Sequence, residues 1–390
     1  MILIGSVTAP VTRVQPAHSL GSFTYVDLSS VDSTLKEIVA PKLLSANSAP
    51  SRARQLLRTH DVLVSTVRPN LNGVAVVPEA LDGAIGSTGF SVLRSDPDAV
   101  EHRYLFHWVR SIPFISEMER RSSGASYPAV SDSIVRGSSL PLPPLAEQRA
   151  VARVLDLIDK LRSERRRAIQ TLDHLADSLF FESFGDLVAN EMGWPVRNVG
   201  EYVKGFQSGK SLVGSDNRSE ARVLKISAVT SGDFDPNESK PLPLGYVPPP
   251  EHLVGAGDVL FSRANTTDLV GATAYVYASI PGLALPDKLW RFVWTSPQET
   301  EPQFMWKAFA RPEIRRLIAD RANGSGGSMK NVTQRAVLDL RFALPPHRDQ
   351  KRFASRFSRV TRVKSAQQAQ LELLDEMYRS KMDEFFPIAS

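Results

Sequence analysis

The sequence predicts an α+β chain of two similar halves. Each half is a strand-rich domain followed by a long helix, and the two helices pack antiparallel as a coiled coil that separates the domains in a pseudo-twofold repeat. Three observations carry this expectation: an internal repeat, a pair of proline-marked junctions, and heptad spacing after each junction. The repeat comes first. "HDVLVSTVRPN" (His60 to Asn70) reads against "GDVLFSRANTT" from Gly257, 197 residues later. "YVDLSSV" (Tyr25 to Val31) reads against "VLKISAV" from Val223, 198 later. "GASYPAVSDSIVRGSSLPLPPLAEQR" (Gly124 to Arg149) reads against "GGSMKNVTQRAVLDLRFALPPHRDQK" from Gly326, 202 later. Matches in one order at a nearly constant offset mark a duplicated architecture.

Within each half, short β-branched runs such as "DVLVSTV", "GVAVV" and "GATAYVYA" stand between turn residues and read as strands. Pro143–Pro144 and Pro345–Pro346 then stop a strand and fix the chain's path into a helix, since proline is tolerated at or before a helix's first turn. From Leu145 the apolar positions Val151, Val154, Ile158, Leu161, Ala168, Leu172, Leu175 and Leu179 follow a heptad seam interrupted at Arg165. The second run shows Phe353, Phe357, Val360, Val363, Leu374 and Met377, with Gln367 and Gln370 in the middle. At the 202-residue offset Arg165 and Gln367 are equivalent, so antiparallel packing brings the two polar positions together. Each helix is roughly 50–60 Å long at 1.5 Å per residue. The domain boundaries follow: residues 1–142, a helix over 143–186, a second domain over 187–344, and a helix over 345–390.

A chain of 390 residues with 42% hydrophobic and 23% charged residues suits a globular protein with two or three cores. The absence of cysteine excludes disulfides and thiolate-bound zinc and fits a reducing cytoplasm. No apolar run approaches the ~20 residues of a membrane span, and "MILIGSVTAPV" lacks a basic n-region, so no signal peptide is read. The net charge of +5 is compatible with a nucleic-acid partner.

Catalytic patterns are not found. "GFQSGKS" (Gly205 to Ser211) has three residues between its glycines where a phosphate loop needs four, and it opens no apolar helix. There is no dinucleotide fingerprint, nucleophile elbow or His-Glu-x-x-His, and "VPPPE" lacks both ends of the amino-methyltransferase tetrapeptide. The seven histidines (His18, His60, His102, His107, His174, His252, His347) have no ligand spacing, so no metal is expected. The chain is read as non-enzymatic.

The pair "LPLPPLAEQRAV" and "ALPPHRDQ", each opening a long helix after a strand-rich domain, together with "GDVLFSR", resembles the specificity subunit of type I restriction-modification systems. The resemblance covers essentially the whole chain. It implies two target-recognition domains that each read half of a split sequence in double-stranded DNA. It implies helices that set the spacer and dock two methyltransferase subunits, joined by restriction/translocase subunits. S-adenosylmethionine, ATP and Mg are then expected on those partners, with no cofactor in this chain. The helix-docking residues it implies are Pro143, Pro144, Glu147, Gln148, Pro345, Pro346 and Gln350. The chain departs from the pattern in beginning its first domain almost at Met1, which leaves little room for a leader. It also has His347-Arg348-Asp349 where Leu-Ala-Glu is usual. Two other readings remain at this point: a recognition subunit of the same fold in another phage-defence assembly, and a coiled-coil scaffold that binds only protein.

Duplex reading needs cations for phosphates and amide, hydroxyl or guanidinium groups for base edges. Loops of the first domain offer Arg68, Asn70 and Asn72, then Arg121, Ser123 and Tyr127. Loops of the second offer Lys210, then Arg263, Asn265 and Thr266, then Ser328, Lys330 and Asn331. The stretch "KLRSERRR" is read instead as a solvated or partner-facing surface, because seven basic and seven acidic residues balance over Leu145 to Phe184.

Overall fold

The structure, a computed structural model, describes residues 1–16, 21–124, 126–212, 219–296, 298–324 and 329–388. It divides into two compact units, Met1–Ile169 with Ala366–Ser390, and Gln170–Ser365. Each unit holds a strand-rich domain and parts of both long helices.

In the first unit an antiparallel sheet runs in the order Thr8–Ala9, Phe90–Ser95, Val62–Ser65, Val74–Val76. A second sheet orders Lys42–Ser45, Ser22–Val26, Ile85–Ser87, Ala53–Leu56, with Ile85–Ser87 parallel to Ser22–Val26. Three short helices follow, His102–Trp108, Ile112–Arg121 and Asp132–Arg136. Ile2–Leu3 then pairs with Ser139–Leu140 and closes the domain at its exit.

The second unit repeats this plan. One sheet orders Val203–Gln207, Leu289–Trp294, Val259–Ser262, Thr273–Tyr275. The other orders Ser239–Pro241, Arg222–Leu224, Leu283–Ala284, again with one parallel pair. Helices Pro302–Ala310, Pro312–Arg321 and Gln334–Leu338 follow, and Val196–Asn198 pairs with Arg341–Ala343 at the exit. The matched segments of the sequence occupy matched places: Val62–Ser65 and Val259–Ser262 are the same inner strand.

The long helices are Leu145–Phe184 and His347–Phe385. Pro144 and Pro346 stand directly before them, their carbonyls accepting the first-turn N–H groups of Glu147 and Asp349 at 2.9 Å each. Within the first unit the helices run antiparallel, and Arg165 donates to Gln367 Oε1 at 2.8 Å, as the repeat predicts. Within the second unit Lys364 pairs with Asp173 at 2.7 Å, and Phe180 meets Phe353 edge-on at 5.4 Å.

The seam differs in detail from the predicted one. Val154, Leu175, Val363 and Met377 are exposed, and Leu155, Ala176 and Tyr378 are buried instead. Spacing through Val151, Ile158, Leu172 and Leu179 fits either neighbouring flank of the helix. The fold selects the flank that carries Arg162, which binds Asp159 and Asp375. Val363 fails for a simpler reason: the steps Phe357 to Val360 to Val363 are both of three residues, and a seam alternates three with four. Toward their ends the helices join the domain cores. Val151, Leu155 and Ile158 share a cluster with Tyr104, Trp108, Met382 and Phe386, and Phe180, Phe184, Phe353 and Phe357 share one with Phe304 and Phe309.

A buried polar cluster ties the first domain to its helices. His107, with no exposed surface, donates from Nε2 to Asp156 Oδ1 at 2.8 Å and meets the Tyr378 hydroxyl at 3.2 Å. Arg103 also donates to Asp156, and Arg110 pairs with Asp159. Burial, with the Arg110 charge beside it, lowers the His107 pKa from 6.5 to about 4. Burial alone would raise the Asp156 carboxyl, but hydrogen bonds from His107 and Arg103 outweigh it and hold the group at about 2. The unfolded chain therefore binds more protons than the folded one between the two His107 values. Its stabilising contribution is whole above pH 6.5 and is lost as pH falls toward about 4. The expected result is a falling thermal midpoint across that window, flattened by His107→Asn; an unchanged slope in that variant would contradict the assignment.

Candidate nucleic-acid interface

In each domain the inner strand leaves its sheet into a loop, and a second loop from just before the domain's exit covers it. In the first domain Val67 bridges Ala129, which also bridges Ser123. The Arg68 N–H donates to Pro128 O at 2.7 Å and Val130 N–H to Thr66 O at 2.8 Å. Arg68, in the left-handed region at φ 51°, carries its guanidinium 4.6 Å from the Tyr127 ring centre. Tyr127 is 68% exposed, so this cation–π pair faces solvent. Asn70 and Ser123 are exposed beside it. Arg121 is held by Glu117 one turn back at 2.9 Å.

Asn72 does not belong to the site. It is buried, its Nδ2 donates to Val109 O at 2.8 Å, and its oxygens accept from Lys36 Nζ. Its amide anchors the loop to the domain core.

The second domain uses the same loop pair. Ala264 pairs with Asn331 and Asn265 with Lys330, and Val332 N–H donates to Arg263 O at 2.9 Å. Thr266 is exposed, its N–H held by Asn265 Oδ1 at 2.9 Å. Arg263 is half-buried: its backbone N–H donates to Lys288 O at 3.1 Å and its Nε to Asp287 O at 3.0 Å. The segment carrying exposed Lys210 joins the same patch, since Gly209 N–H donates to Pro286 O at 3.1 Å and Ser211 Oγ to Asp287. A Cβ on Gly209 would lie 2.0 Å from the Leu285 carbonyl oxygen, so this glycine serves close backbone approach. Ser328 lies outside the described residues.

Asp287 and Lys288 were missed by the sequence reading. They lie where Thr88 and Gly89 lie in the first domain, since Arg263 N–H donates to Lys288 O as Thr66 N–H donates to Gly89 O at 2.9 Å. The signal was weak because the positions differ between halves, and a search for repeated motifs passes over them.

At the helix junctions Glu147, Pro144 and Pro346 are exposed, Pro143 is half-buried and Pro345 buried. Gln148 and Gln350 must be withdrawn as docking residues. Each is 1% exposed, with its amide hydrogen-bonded inside its own unit. Among the described residues no group of three or more His, Asp or Glu is placed to hold a metal ion. Among them, too, no helix is long and apolar enough to cross a membrane.

No family model matches the chain. The type I restriction enzyme EcoEI specificity subunit of Escherichia coli is 29% identical over 198 residues, covering 48% of this chain and 33% of that protein. The EcoKI specificity subunit of Escherichia coli strain K12 is 21% identical over 271 residues, covering 66% of this chain and 58% of that one. The chain thus spans about a third and somewhat over half of the length of these two relatives. Among solved structures, a chain from a study of complex assembly and conformational transition of the type I R-M system is 27% identical, with a TM-score of 0.54 over 98% of this chain and 96% of that chain. The S subunit of the type I system of M. genitalium has the same fold, at 12% identity and a TM-score of 0.62 over 100% of this chain and 96% of its own. The resemblance to type I specificity subunits is therefore present in both sequence and fold.

Proposed function

We propose that the chain is the non-catalytic DNA-recognition subunit of a type I restriction-modification complex. Each domain reads one half of a bipartite target, and the helices set the spacer and dock two methyltransferase subunits. The observation that carries this reading is the repeated loop pair, which presents Arg68 with Tyr127 in one domain and Asn265 with Lys330 in the other. Cations at such loops bind phosphates, and amide, hydroxyl and guanidinium groups beside them reach base edges.

The helices support the docking role. Leu157, Leu373 and Met377 in the first unit are 60%, 65% and 44% exposed, and Leu175 and Val363 in the second are exposed too. Met377 is the repeat equivalent of Leu175, and both are exposed. An exposed apolar residue at the same place in both halves suits two copies of one protein partner. S-adenosylmethionine, ATP and Mg belong to the partner subunits in this reading.

The test compares the chain alone with the complex it forms. By calorimetry the purified chain binds no S-adenosylmethionine; assembled with methyltransferase subunits, it gives a bipartite footprint and methylates one split sequence. Binding of the cofactor by the chain alone would refute the non-catalytic assignment. An assembled complex without a sequence-specific footprint would leave the protein-only scaffold.

A further inference from the structure

Gln148 and Gln350 sit at the same place in the two helices and make matched hydrogen bonds. Gln148 Oε1 accepts from the backbone N–H of Glu101 at 2.9 Å, and its Nε2 donates to Pro143 O at 2.8 Å and Ala99 O at 3.2 Å. Gln350 Oε1 accepts from the N–H of Glu301 at 3.1 Å, and its Nε2 donates to Pro345 O at 2.8 Å. Glu101 and Glu301 are the N-cap residues of helices His102–Trp108 and Pro302–Ala310, and neither caps its helix with its own side chain.

In a capping box the N-cap N–H is taken by a side chain three residues on in the same helix. Here a side chain from a different helix takes it, 47 residues away in one half and 49 in the other. One planar amide thus joins the long helix, the proline junction and the first short helix of the domain. Only a group with an acceptor and a donor at one end can do this. Glutamate would turn an oxygen toward the proline carbonyl, and leucine would leave the N–H and both carbonyls without that partner. The prolines restrict φ at the junction, but rotation about the remaining bonds is fixed by the glutamine.

We infer that Gln148 and Gln350 are positioning residues, twin clamps that lock each recognition domain to its own helix at one angle. The inference rests on the DNA-recognition reading, because the angle matters through the spacing at which two half-sites can be read together.

The experiment uses the full chain assembled with its methyltransferase subunits. It measures methylation of substrates whose spacer is correct or changed by one base pair, with Gln148→Leu, Gln350→Leu and, as a control, Leu63→Ala, which cuts a sheet-core side chain that has no exposed surface. Each glutamine variant reduces discrimination between spacers by about three- to tenfold, the weight of one hydrogen bond, and leaves the half-sites unchanged. The control lowers the amount of active complex and keeps the spacer ratio. Gln148→Met, close to glutamine in length but without its acceptor and donor, replaces the leucine variant if that does not assemble. Hydrogen exchange at the Glu101 and Glu301 amides gives a readout independent of DNA: each is protected in the natural chain and accelerates only in the variant of its own glutamine. Unaltered spacer ratios in the variants would overturn the positioning role, and unaltered exchange would overturn the clamp itself. A natural complex that methylates no bipartite sequence would overturn the functional reading while the exchange result stood.

Discussion

Replacing the first recognition domain with that of another such subunit is expected to change one half of the methylated sequence and leave the other half intact. The expectation follows from the duplication: each unit has its own sheets, loop pair and hydrophobic core. The effect is large, because each wrong base pair costs about 1–3 kcal/mol and a half-site contains several. The structure also says where to cut. A graft of residues 1–142 alone divides a core, since Val151, Ala152, Leu155, Ile158, Tyr378, Met382 and Phe386 pack with the first domain. A graft carrying residues 1–169 and 366–388 follows the compact unit. Both grafts switch the same half-site by methylation sequencing, and the second yields more folded complex. A graft that altered both halves, or neither, would defeat independent reading by the two domains.

Much of the fold was legible because duplication prints it twice. "DVLVSTV" and "DVLFSRA" are weak strand signals singly, but two copies at one offset assign the same inner strand to each half. The junctions were legible for the same reason, through their paired prolines. What the sequence concealed was direction. Glutamine at the first turn of an exposed-looking helix reads as a surface residue, and only the fold shows that Gln148 and Gln350 reach back to Glu101 and Glu301. Asn72 looked like Asn70, two residues away, but the left-handed backbone at Arg68 and Asn72 turns the loop so that one amide points out and the other in. The seam was misplaced by one flank because apolarity favoured Leu161, whereas a satisfied ion pair allows Arg162 to face the partner helix. The candidate site was readable at its repeated positions and hidden at Asp287 and Lys288.

The helices act as a ruler only if lengthening both of them moves the half-sites apart. Arg165 pairs with Gln367 in the first unit and Asp173 with Lys364 in the second, so residues added to one helix alone would break register on one side. The informative change inserts four residues after Ile169 and four after Ser365, where each helix passes from one compact unit to the other. Four residues add about 6 Å of helix and turn it by roughly 40° beyond a full rotation. About two base pairs of duplex cover that length at 3.4 Å each and turn by roughly 70° at 10–10.5 base pairs per turn. Length and twist then nearly agree, and a spacer longer by two base pairs with unchanged half-sites is the expected result from long-read methylation calling. A seven-residue insertion at both places is the sharper control. It keeps the seam in phase and adds about 10.5 Å, close to three base pairs. Those three base pairs turn the duplex by roughly 100°, while seven residues bring a helix back to within about 20° of its starting direction. The domains would then face the wrong side of the groove, so this variant folds and assembles but methylates poorly at every spacer. Active enzyme with an unchanged spacer after the four-residue insertion would reject the ruler. Equal activity of the two insertions would show that the spacer is set by length alone, without the rigid coupling that the junctions supply.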